Sequence, residues 1–208
     1  MRSLISEFSY GFALTHELVL SLETLSAAPI FPSLLEEGRA GGGYDVKLTA
    51  PGVALFLQFK RSERLHLKSA REIRDGARIG LPYYRLEITA KSDSDQHNML
   101  LELDQPPNQV YYAAPMFILK PEFDNAFVAG LMRQRSFFIK PQDVGRFTDA
   151  KPHHVSFDTA TCIVKSEPRE IKGYGIAELE GLFRRSRPLR LKSVVSFPTM
   201  PGPGGDLC

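Results

Sequence analysis

Residues 44–60, read with the glycines before them (GGGYDVKLTAPGVALFLQFK, 41–60), constrain the fold more than any other stretch. Two alternating runs meet at Pro51-Gly52. Tyr44, Val46 and Leu48 share one phase with Val53, Leu55, Leu57 and Phe59, while Asp45, Lys47 and Thr49 share the other with Ala54, Phe56, Gln58 and Lys60. Period-two alternation around a Pro-Gly pair predicts a β-hairpin with a two-residue loop. Ala50 then pairs with Val53, and Asp45 lies opposite Gln58. A slip of one residue would put Asp45 opposite Leu57, on the apolar face, so the patterning itself selects the register. Asp45, Gln58 and Lys60 are thereby expected on one face at the open end of the hairpin.

That trio has a chemical use. Mg²⁺ prefers hard oxygen ligands and retains several waters. Asp45 offers a carboxylate, Gln58 an amide oxygen and Phe59 its backbone carbonyl as metal ligands. Lys60 offers an ammonium that orients water or offsets charge growing on a phosphate. On these residues the chain resembles the Gln-x-Lys variant of the PD-(D/E)XK nuclease superfamily, known from type IV restriction endonucleases and nuclease effectors of anti-phage defence. The resemblance covers roughly residues 6–117. It implies an α/β fold with a restriction-endonuclease-like core, a mixed central sheet flanked by helices in the order α-β-β-β-α-β. Residues 61–92 form an insertion and the C-terminal part an addition.

The resemblance further implies a Mg²⁺- or Mn²⁺-dependent nuclease, with DNA favoured over RNA as substrate. Glutamine stands at position 58 where an acid is usual, so the catalytic set (Asp45, Gln58, Lys60) needs a further carboxylate. Glu17 from the first helix, with Glu7 behind it, and Glu37 before the glycine run are the candidates. The same glutamine keeps a second reading open, a catalytically inactive module that binds nucleic acid or protein on the same fold. A third is an unrelated α/β adaptor. A regulatory or sensor protein and self-association are both compatible with a nuclease of this kind.

The flanking segments read in a matching order. Residues 6–25 suggest a helix with Leu4, Phe8, Thr15, Val19 and Leu22 on one stripe. A short strand is expected at 33–37, a strand at 82–89, a helix at 95–104 and a strand at 110–117. A helix at 121–132, short strands at 136–139 and 154–157 and a helix at 176–184 complete the pattern. One domain over 1–198, with core 6–117 and extension 118–198, precedes a Pro/Gly-rich tail at 199–208 expected to be flexible.

After Lys60 the chain turns basic, with seven Lys/Arg against three Asp/Glu over 60–78. Arg61, Arg64, Lys68, Arg71 and Arg74 are the candidate phosphate contacts. The whole chain carries a net charge of only +2, so a nucleic-acid surface must be a local patch. Gln96 and His97 read as surface residues of the second helix, and adjacent His153 and His154 should point to opposite faces of a strand. The two cysteines, Cys162 and Cys208, lack zinc spacing. No Walker or Gly-x-Ser-x-Gly motif occurs. The absence of a secretory leader pattern and of a membrane-length apolar run leads to the expectation of a cytoplasmic protein without a membrane partner.

Overall fold

The computed structural model describes residues 1–22, 24–37, 39, 41–66, 78–89, 94–149, 151–166 and 169–185. α1 (Glu7–Ser21) starts where Ser6 caps it, the Ser6 hydroxyl accepting from the Ser9 N–H, with Glu7 acidic in the first turn. It ends at Ser21, short of the expected 25. Its buried face is Tyr10, Gly11, Leu14, Glu17 and Leu18, whereas Leu4 and Phe8 are exposed. Of the expected stripe, Thr15 and Leu22 are buried while Leu4, Phe8 and Val19 are exposed, so it coincides only in part with the face that packs; apolar residues surround α1 on more than one side.

The strand expected at 33–37 is instead a helical turn, α2 (Leu34–Glu37). An extended contact with the hairpin comes earlier, at Ile30, whose N–H and C=O both bond Lys47 (3.0 and 2.9 Å). β1 (Val46–Ala50) and β2 (Val53–Phe59) form the expected hairpin in the expected register, Ala50 opposite Val53 and Val46 opposite Leu57. Gly52 takes φ 76°, a left-handed conformation that glycine adopts without steric cost and that a type II turn requires after Pro51.

β3 (Glu63–Leu65) follows, then β4 (Tyr83–Ile88), α3 (Gln96–Leu103), β5 (Asn108–Pro115) and α4 (Lys120–Val128). The remainder is β6 (Ser136–Ile139), α5 (Pro141–Val144), β7 (His153–Phe157), β8 (Cys162–Val164), β9 (Arg169–Ile171) and α6 (Ile176–Arg185). Two sheets result. The first is mixed, in the order β1-β2-β5-β6, with β5 parallel to β2 and the other pairs antiparallel. The second is antiparallel, β3-β4-β7-β8-β9. The fold is thus mixed α/β, with a mixed sheet flanked by helices. Residues 61–66 and 78–89 are not a bare insertion; they begin a second sheet that β7, β8 and β9 complete.

Both faces of β2 are buried, which explains its nearly continuous apolar sequence. Val46, Leu48, Leu55 and Leu57 pack under α1 with Tyr10, Leu14 and Leu18. Phe56 joins Val110, Tyr112 and Ala114 of β5 against Leu86, Ile88, Val155 and Phe157 of the second sheet. Gln58 and Lys60 share the Phe56 phase. They emerge where this inter-sheet core gives way to a cleft.

Candidate active site

The cleft, of about 430 Å³, opens at the C-terminal end of β2. Asp45, Gln58 and Lys60 line one side, as the hairpin register requires. Arg85 and Glu87 of β4 and His154 of β7 line the other, so the second sheet supplies a wall that the sequence pattern did not foreshadow. The hairpin end is locked by backbone bonds. Asp45 N–H donates to the Leu57 carbonyl (2.9 Å), and Phe59 N–H donates to Asp45 Oδ2 (2.6 Å). The Asp45 carboxylate is thus oriented by the strand that carries Gln58 and Lys60.

Gln58 is 3% exposed, and its Nε2 donates to the Phe59 carbonyl (3.3 Å). Its Oε1 is buried with no hydrogen-bond partner among the described residues. An orphaned buried acceptor costs about 1–3 kcal/mol, so such an atom calls for a ligand. Lys60 is 7% exposed. Its ammonium donates to Gln96 Oε1 (2.9 Å) and lies 5.8 Å from the centre of the Tyr112 ring, which helps to compensate its burial. Gly43 makes this arrangement possible. It has φ 84°, and a Cβ there would meet the Gln96 carbonyl at 3.1 Å, so the glycine run lets the strand entry approach the start of α3.

Of the three glutamates expected to supply a further carboxylate, Glu7 lies in the cleft, which Glu63 and Glu87 line as well. Gly11 lies so close to Phe59 that a Cβ would meet the ring at 2.3 Å. This close approach seats α1 on the end of β2. One turn earlier, on the same helix face, Glu7 Oε1 accepts from the Arg61 backbone N–H (3.1 Å) and lines the cleft with Asp45.

Glu17 lies elsewhere. Its carboxylate is buried and accepts from the backbone N–H groups of Met132 and Arg133 (2.8 and 3.1 Å), with the Arg133 guanidinium at 3.6 Å. It tethers the 129–135 turn to α1 and takes no part in the cleft. Glu37 closes α2, but its side chain lies outside the described residues.

Of the basic candidates, Arg61 lines the cleft; its guanidinium donates to the Ser3 carbonyl, and it pairs with no carboxylate among the described residues. Arg64, on β3, forms an ion pair with Glu122 (2.5 Å) and is not free for phosphate. Lys68, Arg71 and Arg74 lie outside the described residues.

The histidines separate as strand geometry requires. His154 faces the cleft, 3.7 Å from Glu87. His153 turns away, its ring bonded to Ser166 (2.6 Å) and Asp149 (2.7 Å). His97 is buried rather than on the surface. Its Nδ1 meets the Tyr112 hydroxyl (2.7 Å) and its Nε2 the Gly145 carbonyl (2.7 Å). A carbonyl only accepts, so Nε2 carries the proton and Nδ1 accepts from Tyr112. Burial lowers the His97 pKa and raises that of the Tyr112 phenol, which holds both groups neutral. Cys162 is buried with its thiol pushed up to about 12, so it is no nucleophile.

Glu63, Glu87 and the His154 imidazole also line the cleft, and on the β2 and α1 side the candidate donors are oxygens: the Asp45 and Glu7 carboxylates and the orphaned Gln58 Oε1. That chemistry fits a hard divalent cation. Among the described residues no three His, Cys, Asp or Glu side chains gather as a metal set, so the amide of Gln58 is needed to make the third donor. Among the described residues no helix is long and apolar enough to cross a membrane. No protein-family profile, no curated protein and no solved structure matches the chain.

Proposed function

We propose that this protein is a divalent-metal-dependent nuclease of the PD-(D/E)XK kind, hydrolysing phosphodiester bonds, with DNA as the favoured substrate. The observation that carries the reading is the union in one cleft of Asp45, Gln58 and Lys60 with Glu7, together with the partnerless buried Oε1 of Gln58. The order of elements supports it: α1, the single extended bridge at Ile30, the β1-β2 hairpin, α3, and β5 parallel to β2. In this reading Ile30 marks the remnant of the first strand of the α-β-β-β-α-β core.

A Mg²⁺ or Mn²⁺ ion held by Asp45, Glu7 and Gln58 would supply concentrated positive charge against the phosphate and acidify water. The chain's own residues do the rest. Phe59 N–H fixes the Asp45 carboxylate. Arg61 N–H fixes Glu7. Gln96 holds the Lys60 ammonium at the cleft wall, where it offsets charge growing on the scissile phosphate. Arg61, at the cleft mouth, holds a flanking phosphate.

The neutral amide at position 58 favours one alternative, a module on the same fold that binds nucleic acid without cutting it. Mg²⁺- or Mn²⁺-dependent cleavage of plasmid and of short oligonucleotides separates the two. Native protein should cut, and Asp45→Ala and Lys60→Ala, with folding checked by circular dichroism, should not. Cleavage that survives both substitutions refutes the nuclease reading. Binding without cleavage by the native protein selects the module.

A further inference from the structure

A second cavity, of about 410 Å³, lies beside the polar cleft. Its character is opposite. Phe8, Phe12, Phe31 and Pro32 form its sides and Phe59 lines it from β2. Three of these rings stand open to solvent, Phe8 at 80%, Phe12 at 57% and Phe31 at 52% exposed. Such exposure of clustered aromatic rings marks a binding surface. The two cavities are neighbours, because Asp45 and Glu7 line both. An occupant that runs from one to the other must pass the two carboxylates.

The cleft carries Arg2, Lys60, Arg61 and Arg85 against Glu7, Asp45, Glu63 and Glu87, so its charge is balanced, while the aromatic side offers flat apolar faces. In the nuclease reading the cleft takes a phosphate, so the matching ligand places a phosphate there and exposed planar rings next to it. Single-stranded polynucleotide has that alternation. Intact duplex does not, since its bases are stacked on one another and show only their edges.

We infer that Phe8, Phe12 and Phe31 form a base-stacking subsite beside the reacting phosphate, so that the chain engages single-stranded or locally unpaired polynucleotide in preference to duplex. The inference rests on the nuclease reading for its reacting phosphate, but its binding chemistry is separable from it.

Fluorescence anisotropy with labelled 12-nucleotide probes tests it, with Ca²⁺ in place of Mg²⁺. The probes are a single DNA strand, the same strand with abasic sugars, an RNA strand of the same sequence and the DNA duplex. Native protein should bind the base-bearing strand about tenfold or more tighter than the abasic strand. The double substitution Phe8→Ala/Phe31→Ala, both at exposed positions, should abolish that difference and leave duplex affinity unchanged. The RNA arm shows which sugar the subsite accompanies.

Equal binding of abasic and base-bearing strands, or a difference that survives the double substitution, overturns the inference. So does an altered sedimentation coefficient of the double variant with unchanged oligonucleotide binding, which would assign the groove to a second copy of the chain. Parallel Mg²⁺ cleavage assays keep the two ideas apart. Base-dependent binding without cleavage removes the nuclease and leaves the subsite. Lys60-dependent cutting of duplex that ignores the phenylalanines removes the subsite alone.

Discussion

Two glutamates on one helix have opposite assignments, and the difference turns on what each touches. Glu7 meets the Arg61 N–H at the edge of the cleft, whereas Glu17 accepts two backbone N–H groups far from it. If the proposed nuclease reading holds, Glu7→Gln lowers metal-dependent cleavage on the order of 100-fold or more, as expected for loss of a charge acting at the reacting centre, with little change in melting temperature. Glu17→Ala should do the reverse. It leaves the Met132 and Arg133 N–H groups without their acceptor, at a cost of roughly 1–3 kcal/mol, while Arg133 keeps its pair with Glu180 and, in the nuclease reading, protein that remains folded keeps its cleavage rate. Urea titrations and rates per folded molecule check both, and a Glu17 variant that is stable but inactive would reverse the assignment. Asp45, Gln58 and Lys60 were legible beforehand because period two leaves only one register that keeps apolar residues together. Glu7 was harder to rank, since a helix with apolar residues on several sides does not announce which face packs.

At the level of elements, the close seating of α1 on β2 is the feature on which Glu7 depends. Gly11→Ala should force the Phe59 ring or the helix to move, because the added Cβ would stand 2.3 Å from the ring. Overpacking of this kind costs about 1–3 kcal/mol. Because Phe59 is flanked by Gln58 and Lys60, cleavage should fall further than stability alone explains. A variant that melts earlier yet cuts at the native rate would mean that Glu7 tolerates the displacement. The hairpin is foreseeable from its alternation and β5 from its β-branched and aromatic content, and helices are expected where α3 and α6 lie. The second sheet was not. β3, β8 and β9 have three residues each, too few to display an alternation, and they are stabilised by neighbours distant in sequence. The helical turn at 34–37, where a strand is expected, has a related cause. Ser33 bonds the Glu36 N–H and carboxylate locally (3.4 and 2.9 Å), which closes a helical turn where the short apolar pair had suggested a strand.

Across the whole molecule, the two sheets are joined near the cleft by an aromatic stack that titrates. His97 of α3 bonds Tyr112 of β5 and stacks on Phe147, which in turn stacks on His153 of β7. Burial lowers the His97 pKa below its ordinary 6.5, and the nearby charges of His153, Lys60 and Arg146 push the same way; only the bond to the Gly145 carbonyl opposes them. Below pH 6.5 the unfolded chain therefore takes up a proton that the folded chain refuses, and stability falls as the pH drops from there toward the depressed native value. The limiting slope for one proton is about 1.4 kcal/mol per pH unit. His154 is also lowered and adds to the trend from the cleft wall, less strongly because it is half-exposed. Burial opposes ionisation of Glu63 and Glu122, but Arg85 lowers Glu63, and the Ile118 and Leu119 N–H groups, then Arg64, lower Glu122; both lose their contribution only at more acid pH, below their ordinary 4.5. Asp104 is raised by burial and so works in the opposite direction. Unfolding free energies from urea at pH 7.5, 6.5, 5.5 and 5.0 should decline for the native chain across the histidine window. His97→Asn should be less stable throughout but flatter between pH 6.5 and 5.0. Equal slopes in the two proteins would show that the proton is taken up elsewhere, and that the junction between the sheets does not depend on a neutral His97.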